Sequence, residues 1–161
     1  MAFLDLAEGR PDVPFVMACA AHEGALALYD LVAVRAGRMP NVQFLGFVPF
    51  ADTENLFRHA RVFVNSSTAE GFPNTFVQAA RVGTPVLSLE VNPDGILKSS
   101  DFGACADGDQ ALLATQLDRL LGDRQTWGRQ SDNAYRYFQR DHDIEALLPA
   151  FARSLLSLRS R

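Results

Sequence analysis

Lysine is almost missing from this sequence: Lys98 is the only one, and every other fixed cation is an arginine. We read that skew as compositional bias. With a net charge of −4 and a sequence pI near 5.3, the chain offers no basic stripe of the kind that binds nucleic acid. Cysteine is scarce as well. Cys19 and Cys105 sit in apolar, strand-like runs, where free core thiols in a reducing compartment are the simpler reading, although the sequence leaves a bridge open. The three histidines, His22, His59 and His142, stand at no ligand spacing with a cysteine or carboxylate, so no structural metal site is expected. No apolar run is long enough to span a membrane, and no secretory leader is expected. A cytoplasmic setting is expected, free or peripheral to the inner face of the membrane. Repeats, low-complexity tracts and linkers are absent too, so the 161 residues are expected to form one domain.

What is present is an ordinary globular composition, 48% apolar and 21% charged, around one organising stretch, Asn65 to Glu90. Arg61 to Val64 is a short apolar run, Ser66 to Thr75 is rich in small polar residues, glycine and proline, Phe76 to Val82 has helical spacing, and Pro85 to Leu89 is apolar again. Strand, loop, helix, strand is a β-α-β unit with parallel strands and a right-handed crossover. In a doubly wound sheet such a loop lies outside the carboxyl end of a strand, where chemistry is placed. Thr75 with Gln78 three residues on fits a capping box. The free N–H groups of that first helical turn would form a phosphate site. Glu70, just upstream, then reads as a sugar-hydroxyl acceptor or a charged catalytic group.

In chain order, Ala2 to Glu8 is expected to be helical and to close at Gly9 and Pro11. Pro14 to Ala20 reads as a strand buried on both faces. Glu23 to Ala36 reads as a helix with Leu26, Leu28, Leu31, Val32 and Val34 apolar, followed by a strand over Val42 to Leu45 and a loop from Gly46 to Pro49. Asp52 is the expected N-cap of a short helix through His59. After the central unit come a turn at Pro93-Asp94-Gly95, a strand over Phe102 to Ala106, and helices over Gln110 to Leu121, Arg124 to Arg140 and Ile144 to Leu158. The Leu and Ala stripe of the first of these faces the core. The fold class is α/β, a Rossmann-like doubly wound parallel sheet with C-terminal helices.

The run Glu70-Gly71-Phe72-Pro73-Asn74-Thr75-Phe76-Val77-Gln78-Ala79 resembles the E-x7-E region of retaining glycosyltransferases of the GT-B fold, the large GT4-like class. Arg81-Val82-Gly83-Thr84-Pro85-Val86 continues the likeness, which extends over essentially the whole chain. The resemblance implies that Glu70 contacts the donor sugar near the reacting phosphate, and that the N–H groups of Asn74 and Thr75 cradle the diphosphate beside Gly71 and Phe72. It further implies that the loop carrying Phe47 and Val48 holds the nucleotide base. The second Glu of the motif, which holds the ribose in that family, is Gln78 here; Gln keeps the length and still accepts and donates hydrogen bonds, so altered ribose contacts are expected. The implied donor is a UDP- or GDP-hexose, with no metal or other cofactor.

The resemblance also marks what is not here. Family members begin this domain with a strand and a basic pair that binds the diphosphate, and Met1 falls inside the helix that should follow. The first strand, central in the 3-2-1-4-5-6 order, is therefore expected to be missing. Either the second and fourth strands pair directly, or another copy fills the space and makes a homo-oligomer through the incomplete sheet. The acceptor-binding N-terminal domain is expected to be missing as well, so the chain reads as a fragment of a larger enzyme. Losing two cations removes charge-assisted bonds of ~1.5–3 kcal/mol each, so weak donor binding and no measurable transfer are expected of the chain alone.

Plainer readings stand beside these. Glu70 could be a solvated loop carboxylate, Gln78 only the partner of Thr75, and Gly71 and Gly83 only a turn residue and a helix C-cap. His22 could touch a ligand at the rim or simply start a helix, and Lys98 is read as a surface residue. Two rival functions share the architecture: a GT-B nucleotide-sugar epimerase, and a non-catalytic remnant acting as an assembly module.

Overall fold

The structure, a computed structural model, describes residues 1–158. They divide into two compact units, one from Met1 to Leu56 and one from Phe57 onward.

The first unit holds helix α1 (Ala2–Glu8), strand β1 (Phe15–Ala18), a 3-10 turn (Glu23–Ala25) running into helix α2 (Leu26–Ala36), strand β2 (Val42–Gly46) and the start of helix α3 (Phe50–His59). β1 and β2 are parallel, with Phe15 opposite Val42 and Met17 opposite Phe44. Leu4, Val32 and Ala36 form the core, joined by Phe3, Met17, Met39, Val42 and Phe44. The carboxamide of Asn41 lies 2.9, 3.0 and 3.2 Å from the carbonyls of Ala7, Arg10 and Val13, and so secures the chain between α1 and β1.

Two expectations fail in this unit. β1 is covered on one face: Phe15 is buried and Met17 packs on the core, whereas Val16 is 46% exposed and Ala18 exposed. A parallel strand flanked by one neighbour and one layer of helix alternates, and only a strand covered on both faces stays apolar throughout. The helix N-cap is not Asp52. α3 begins at Phe50, where the carbonyl of Pro49 accepts the Asp52 N–H at 2.9 Å, and Asp52 sits inside the first turn as a favourable charge at the positive end of the helix.

The second unit holds strand β3 (Phe63–Asn65), helix α4 (Asn74–Arg81), strand β4 (Val86–Ser88), a 3-10 turn (Pro93–Gly95) leading into short helix α5 (Ile96–Ser99), and strand β5 (Gly103–Cys105). Helices α6 (Gln110–Gly122), α7 (Arg124–Asp141) and α8 (Ile144–Leu158) follow. The sheet order is β3-β4-β5, all parallel, with Phe63, Val86 and Gly103 in register. Central β4 is buried along its whole length. The core gathers Phe57, Phe76, Ala79, Ala80, Val86, Leu97, Phe102, Ala134 and Tyr137. Leu113, Leu117 and Leu120 turn α6 inward as its stripe predicted.

The architecture is α/β with parallel strands and helical crossovers, as the sequence led us to expect. Of the two outcomes expected for the strand pairing, direct pairing is not formed. The strands expected to lie second and fourth, β1 and β3, do not pair among the described residues; the five strands form two sheets, β1-β2 and β3-β4-β5. Each of these two strands is thus bonded to a neighbour on one side within its sheet, and direct closure is not observed. Cys19 and Cys105 are both free thiols. Among the described residues no helix is long and apolar enough to cross a membrane.

Two glycines are required by what surrounds them. Gly83 ends α4 with φ +73°, its N–H on the Ala80 carbonyl at 3.0 Å and the Thr84 N–H on the Ala79 carbonyl at 2.9 Å, which is a Schellman motif. A Cβ there would come within 3.1 Å of Ser131 Oγ, whose hydroxyl donates to the Gly83 carbonyl at 2.6 Å. At Gly103 a Cβ would collide with the Val86 carbonyl oxygen, so β5 can approach β4 only as glycine. Gly83→Ala should cost about 1–2 kcal/mol from the left-handed conformation. Gly103→Ala should cost about 1–3 kcal/mol through forced separation of the strands. Urea unfolding followed by circular dichroism measures both.

The caps of α6 and α7 are aspartates. Asp109 accepts from the N–H groups of Ala111 and Leu112, and Asp123 from those of Gln125 and Thr126. The Thr126 hydroxyl also donates to Asp123 at 2.6 Å, and this bond, with the backbone N–H groups, holds the Asp123 carboxyl below the usual carboxylate range. A depressed folded-state pKa means that the stabilisation is present above the unfolded value of about 3.9 and fades as pH falls through the folded one. Asp123→Asn keeps the cap and cannot titrate, so the stability gap between wild type and variant should narrow on acidification below about pH 4. Unfolding curves at neutral and acid pH test this.

Candidate functional site

The site grows from the carboxyl end of β3. Asn65 is the last residue of that strand and is 5% exposed. Its backbone carbonyl accepts the Leu89 N–H at 2.8 Å, which continues the β3–β4 ladder past the end of both strands. Its carboxamide turns the chain: Oδ1 accepts the Ser67 N–H at 2.8 Å, and Nδ2 donates to Glu70 Oε1 at 3.2 Å. A buried amide is satisfied only when its donor and acceptor find partners, so this one fixes both the first step of the loop and the carboxylate at its tip.

The loop then drops through Gly71 and Phe72 to Pro73, which is buried and occupies the N-cap position of α4 in an extended conformation. The first helical bond runs from the Phe76 N–H to the Pro73 carbonyl at 3.0 Å. The N–H groups of Asn74 and Thr75 precede it and have no place in the helix ladder. Asn74 is exposed and Thr75 half-buried, so the first turn opens outward beside the loop. The eight residues of α4 are amphipathic, with Phe76, Ala79 and Ala80 buried, and α4 packs on α7. Small residues at this contact, Ala79, Ala80 and Ala134, allow the close approach that places Ser131 on Gly83.

The expected capping box is not formed. Pro73 is the N-cap and has no acceptor side chain, no side-chain bond caps the helix, and Thr75 lies two residues inside. Gln78 is half-buried on α4 and free of that duty. Gly71 does not serve as a left-handed turn residue: it is absent from the glycines with positive φ, and a Cβ on it would meet no heavy atom within 4 Å. Glu70 is exposed apart from its bond to Asn65.

Glu70, Gly71, Phe72, Asn74 and Thr75 thus lie on the loop and first helical turn beyond β3 in the second unit, with Gln78 about one turn further along α4. Phe47 and Val48 are carried by the first unit, on the loop that leaves β2 at Gly46 (φ +65°); Phe47 is 72% exposed and Val48 half-buried. His22 caps the 3-10 turn, accepting the Gly24 N–H on Nδ1 at 3.2 Å, which is the helix-start role. Lys98 is exposed and lines a depression of about 240 Å³ along β5, with Asn92, Asp101, Cys105, Asp107 and Gln116. No candidate site residue borders it. Burial pushes the Cys105 thiol pKa up, which keeps it protonated. Among the described residues no group of three His, Cys, Asp or Glu side chains could hold a metal ion.

Sequence reading missed Asn65 and His142. A polar residue closing an apolar strand ahead of a Gly-rich loop is a signal for the first. His142 follows the helix expected over Arg124 to Arg140, and its ring sits against Phe72 with centroids 5.8 Å apart.

Residues 2–123 match the family described as glycosyl transferases group 1, and the chain belongs to that family. A probable sucrose-phosphate synthase 2 of Arabidopsis thaliana is 34% identical over 89 residues, which cover 52% of this chain and 8% of that protein. Among solved structures, HepE of Anabaena in complex with UDP superimposes with a TM-score of 0.81 at 23% identity, over 97% of this chain and 44% of that one. A sucrose-phosphate synthase of Thermosynechococcus elongatus superimposes with a TM-score of 0.76 at 19% identity, over 99% and 42%. The chain spans less than half the length of each of these relatives. The fold is that of a GT-B glycosyltransferase domain.

Asn65→Ala leaves the Ser67 N–H and the Glu70 carboxylate without their partner. It should cost about 1–2 kcal/mol and speed cleavage within residues 66–72, read by limited proteolysis of the folded chain.

Proposed function

We propose that this chain is a nucleotide-sugar-binding domain that presents a UDP- or GDP-hexose for retaining transfer to an acceptor held by a further, N-terminal domain. The carrying observation is the conjunction at the end of β3. Two N–H groups outside the helix ladder, Asn74 and Thr75, open beside a carboxylate that buried Asn65 holds in place, and Gly71 leaves space that the chain itself does not need. Space beside unbonded N–H groups at the positive end of a helix suits a diphosphate. HepE was solved in complex with UDP and with UDP-glucose, which supports a nucleotide-sugar donor.

In this reading the bond from the anomeric carbon to the diphosphate oxygen breaks through a transition state of oxocarbenium character. The N–H groups of Asn74 and Thr75 meet the negative charge that grows on the leaving diphosphate. Glu70 orients the sugar through its hydroxyls, its remaining oxygen being free to accept while Oε1 is held by Asn65. Gln78 is proposed to contact the ribose, and Phe72 to flank the diphosphate. Phe47 and Val48 keep their assignment to the base by resemblance alone. The donor is the sole small molecule invoked, and no metal has a part.

Isothermal titration with UDP, GDP and their hexose conjugates tests the reading. Saturable binding of one nucleotide is expected. Asn74→Pro removes one N–H while keeping a residue that suits the first helical position, and should weaken nucleotide binding about ten-fold or more. Glu70→Gln should leave UDP or GDP binding unchanged and lower the preference for the sugar conjugate. Equal affinity in wild type and Asn74→Pro would remove the diphosphate from this helix start.

A further inference from the structure

The middle of the site loop is held from the side. Phe72 is 44% exposed, yet its ring lies against that of His142, with centroids 5.8 Å apart and planes inclined at 40°. His142 closes α7, its backbone N–H on the Phe138 carbonyl at 2.8 Å, so its ring starts from a fixed point. It meets Tyr137 edge-on at 5.0 Å, and its Nε2 lies 2.8 Å from Tyr137 Oη. Tyr137 in turn stacks on Phe102 at 4.7 Å, and Phe102 is fully buried in the core of the unit. Four rings thus run in a row from the exposed loop to the interior.

We propose that His142 is a positioning residue for nucleotide binding: anchored by Tyr137 and the end of α7, its ring holds Phe72 and with it the backbone of residues 71–74. The assignment rests on the donor-site reading above. Asn65 fixes the loop as far as Glu70 and Pro73 fixes the helix start; between them Gly71 has no side chain, and Phe72 is the residue whose side chain reaches a rigid neighbour. A histidine suits the place because its ring packs on Phe72 while a nitrogen engages the hydroxyl of buried Tyr137, which would otherwise lack this partner. The charged groups of the same segment are Arg140 and Asp141, paired with each other at 2.6 Å, and Asp143, which accepts the Glu145 N–H. Arg140 also lies over the Tyr137 ring, and none of these contacts draws His142 away from Phe72.

Hydrogen exchange at residues 68–74 and UDP titration, both on the whole chain, test the proposal with His142→Ala, His142→Phe, Tyr137→Phe and Phe72→Leu. His142→Ala should speed exchange in the loop and weaken UDP binding about five-fold, the scale of one aromatic pair. His142→Phe restores a ring at the same place and should recover most of both effects in a stably folded chain. Phe72→Leu should weaken UDP binding similarly, and combining it with His142→Ala should add nothing further. Tyr137→Phe frees the His142 ring and should give a smaller effect of the same sign. Unchanged exchange in His142→Ala overturns the proposal, and so does faster exchange with UDP affinity within two-fold of wild type. Where GDP rather than UDP binds the unsubstituted chain, the same variants are read with GDP; absence of binding of both nucleotides overturns the donor-site reading and this assignment with it. Binding that Asn74→Pro weakens and His142→Ala does not overturns this assignment alone.

Discussion

The site depends on one buried carboxamide. Asn65 is the last residue of a strand and the first partner of the loop, and its backbone and side chain serve different masters: the carbonyl holds β4 through Leu89, the amide holds Ser67 and Glu70. An apolar residue there would keep the ladder and lose the loop, because the half-buried Ser67 N–H would lose its acceptor and Glu70 its tether. An aspartate would keep the Ser67 bond and set a second carboxylate against Glu70. Only an amide of this length offers an acceptor to one side and a donor to the other.

Behind the loop, α7 works as a backboard. Its middle carries Ala134 and Ser131, which let α4 lie close and fasten the glycine at its end. Its first turn presents Trp127, whose indole N–H donates to the Arg61 carbonyl at 2.6 Å while the Arg61 guanidinium lies 4.2 Å from the ring centroid, at the entry to β3. Its last residues carry Tyr137 toward the core and His142 toward the loop. One helix therefore touches the approach to β3, the exit of α4 and the loop between them. The chain from Ser66 to Phe72 has neither helix nor strand, and it is held through Ser67, Glu70 and Phe72.

Much of this was legible in the sequence. The strands of the second unit stood out as short apolar runs, and Gly83 followed by Thr84 and Pro85 marked the end of α4, because both signals are local. What failed had competing local explanations or none. Thr75 and Gln78 have the spacing of a capping box, but Pro73 already starts the helix in a conformation that its ring favours, and the box had no N-cap left to occupy. α2 is apolar nearly all round, so its sequence could not say that Val32 and Ala36 would be buried while Leu26, Leu28, Leu31 and Val34 stay half exposed. β1 read as doubly covered because four residues are too few to reveal alternation when alanine and methionine fill the outward and inward places alike. His142 was out of reach for another reason. It lies 70 residues from Phe72 in the chain, and only the packing of α7 brings the rings together.

The two ends of α4 have a joint consequence. Pro73 fixes where the helix starts and the left-handed turn at Gly83 fixes where it stops, with β4 beginning three residues later. One residue added between them would turn everything on one side of the insertion by about 100° and shift it by about 1.5 Å. The free N–H groups of Asn74 and Thr75 would then face a different direction from Glu70, although every residue of the motif was still present. The helix acts as a gauge of set length, and the spelling of the loop has meaning only at that length. Insertions and deletions in sequences of this kind should therefore gather in the helices beyond β5 and spare the interval between Asn65 and Ser88.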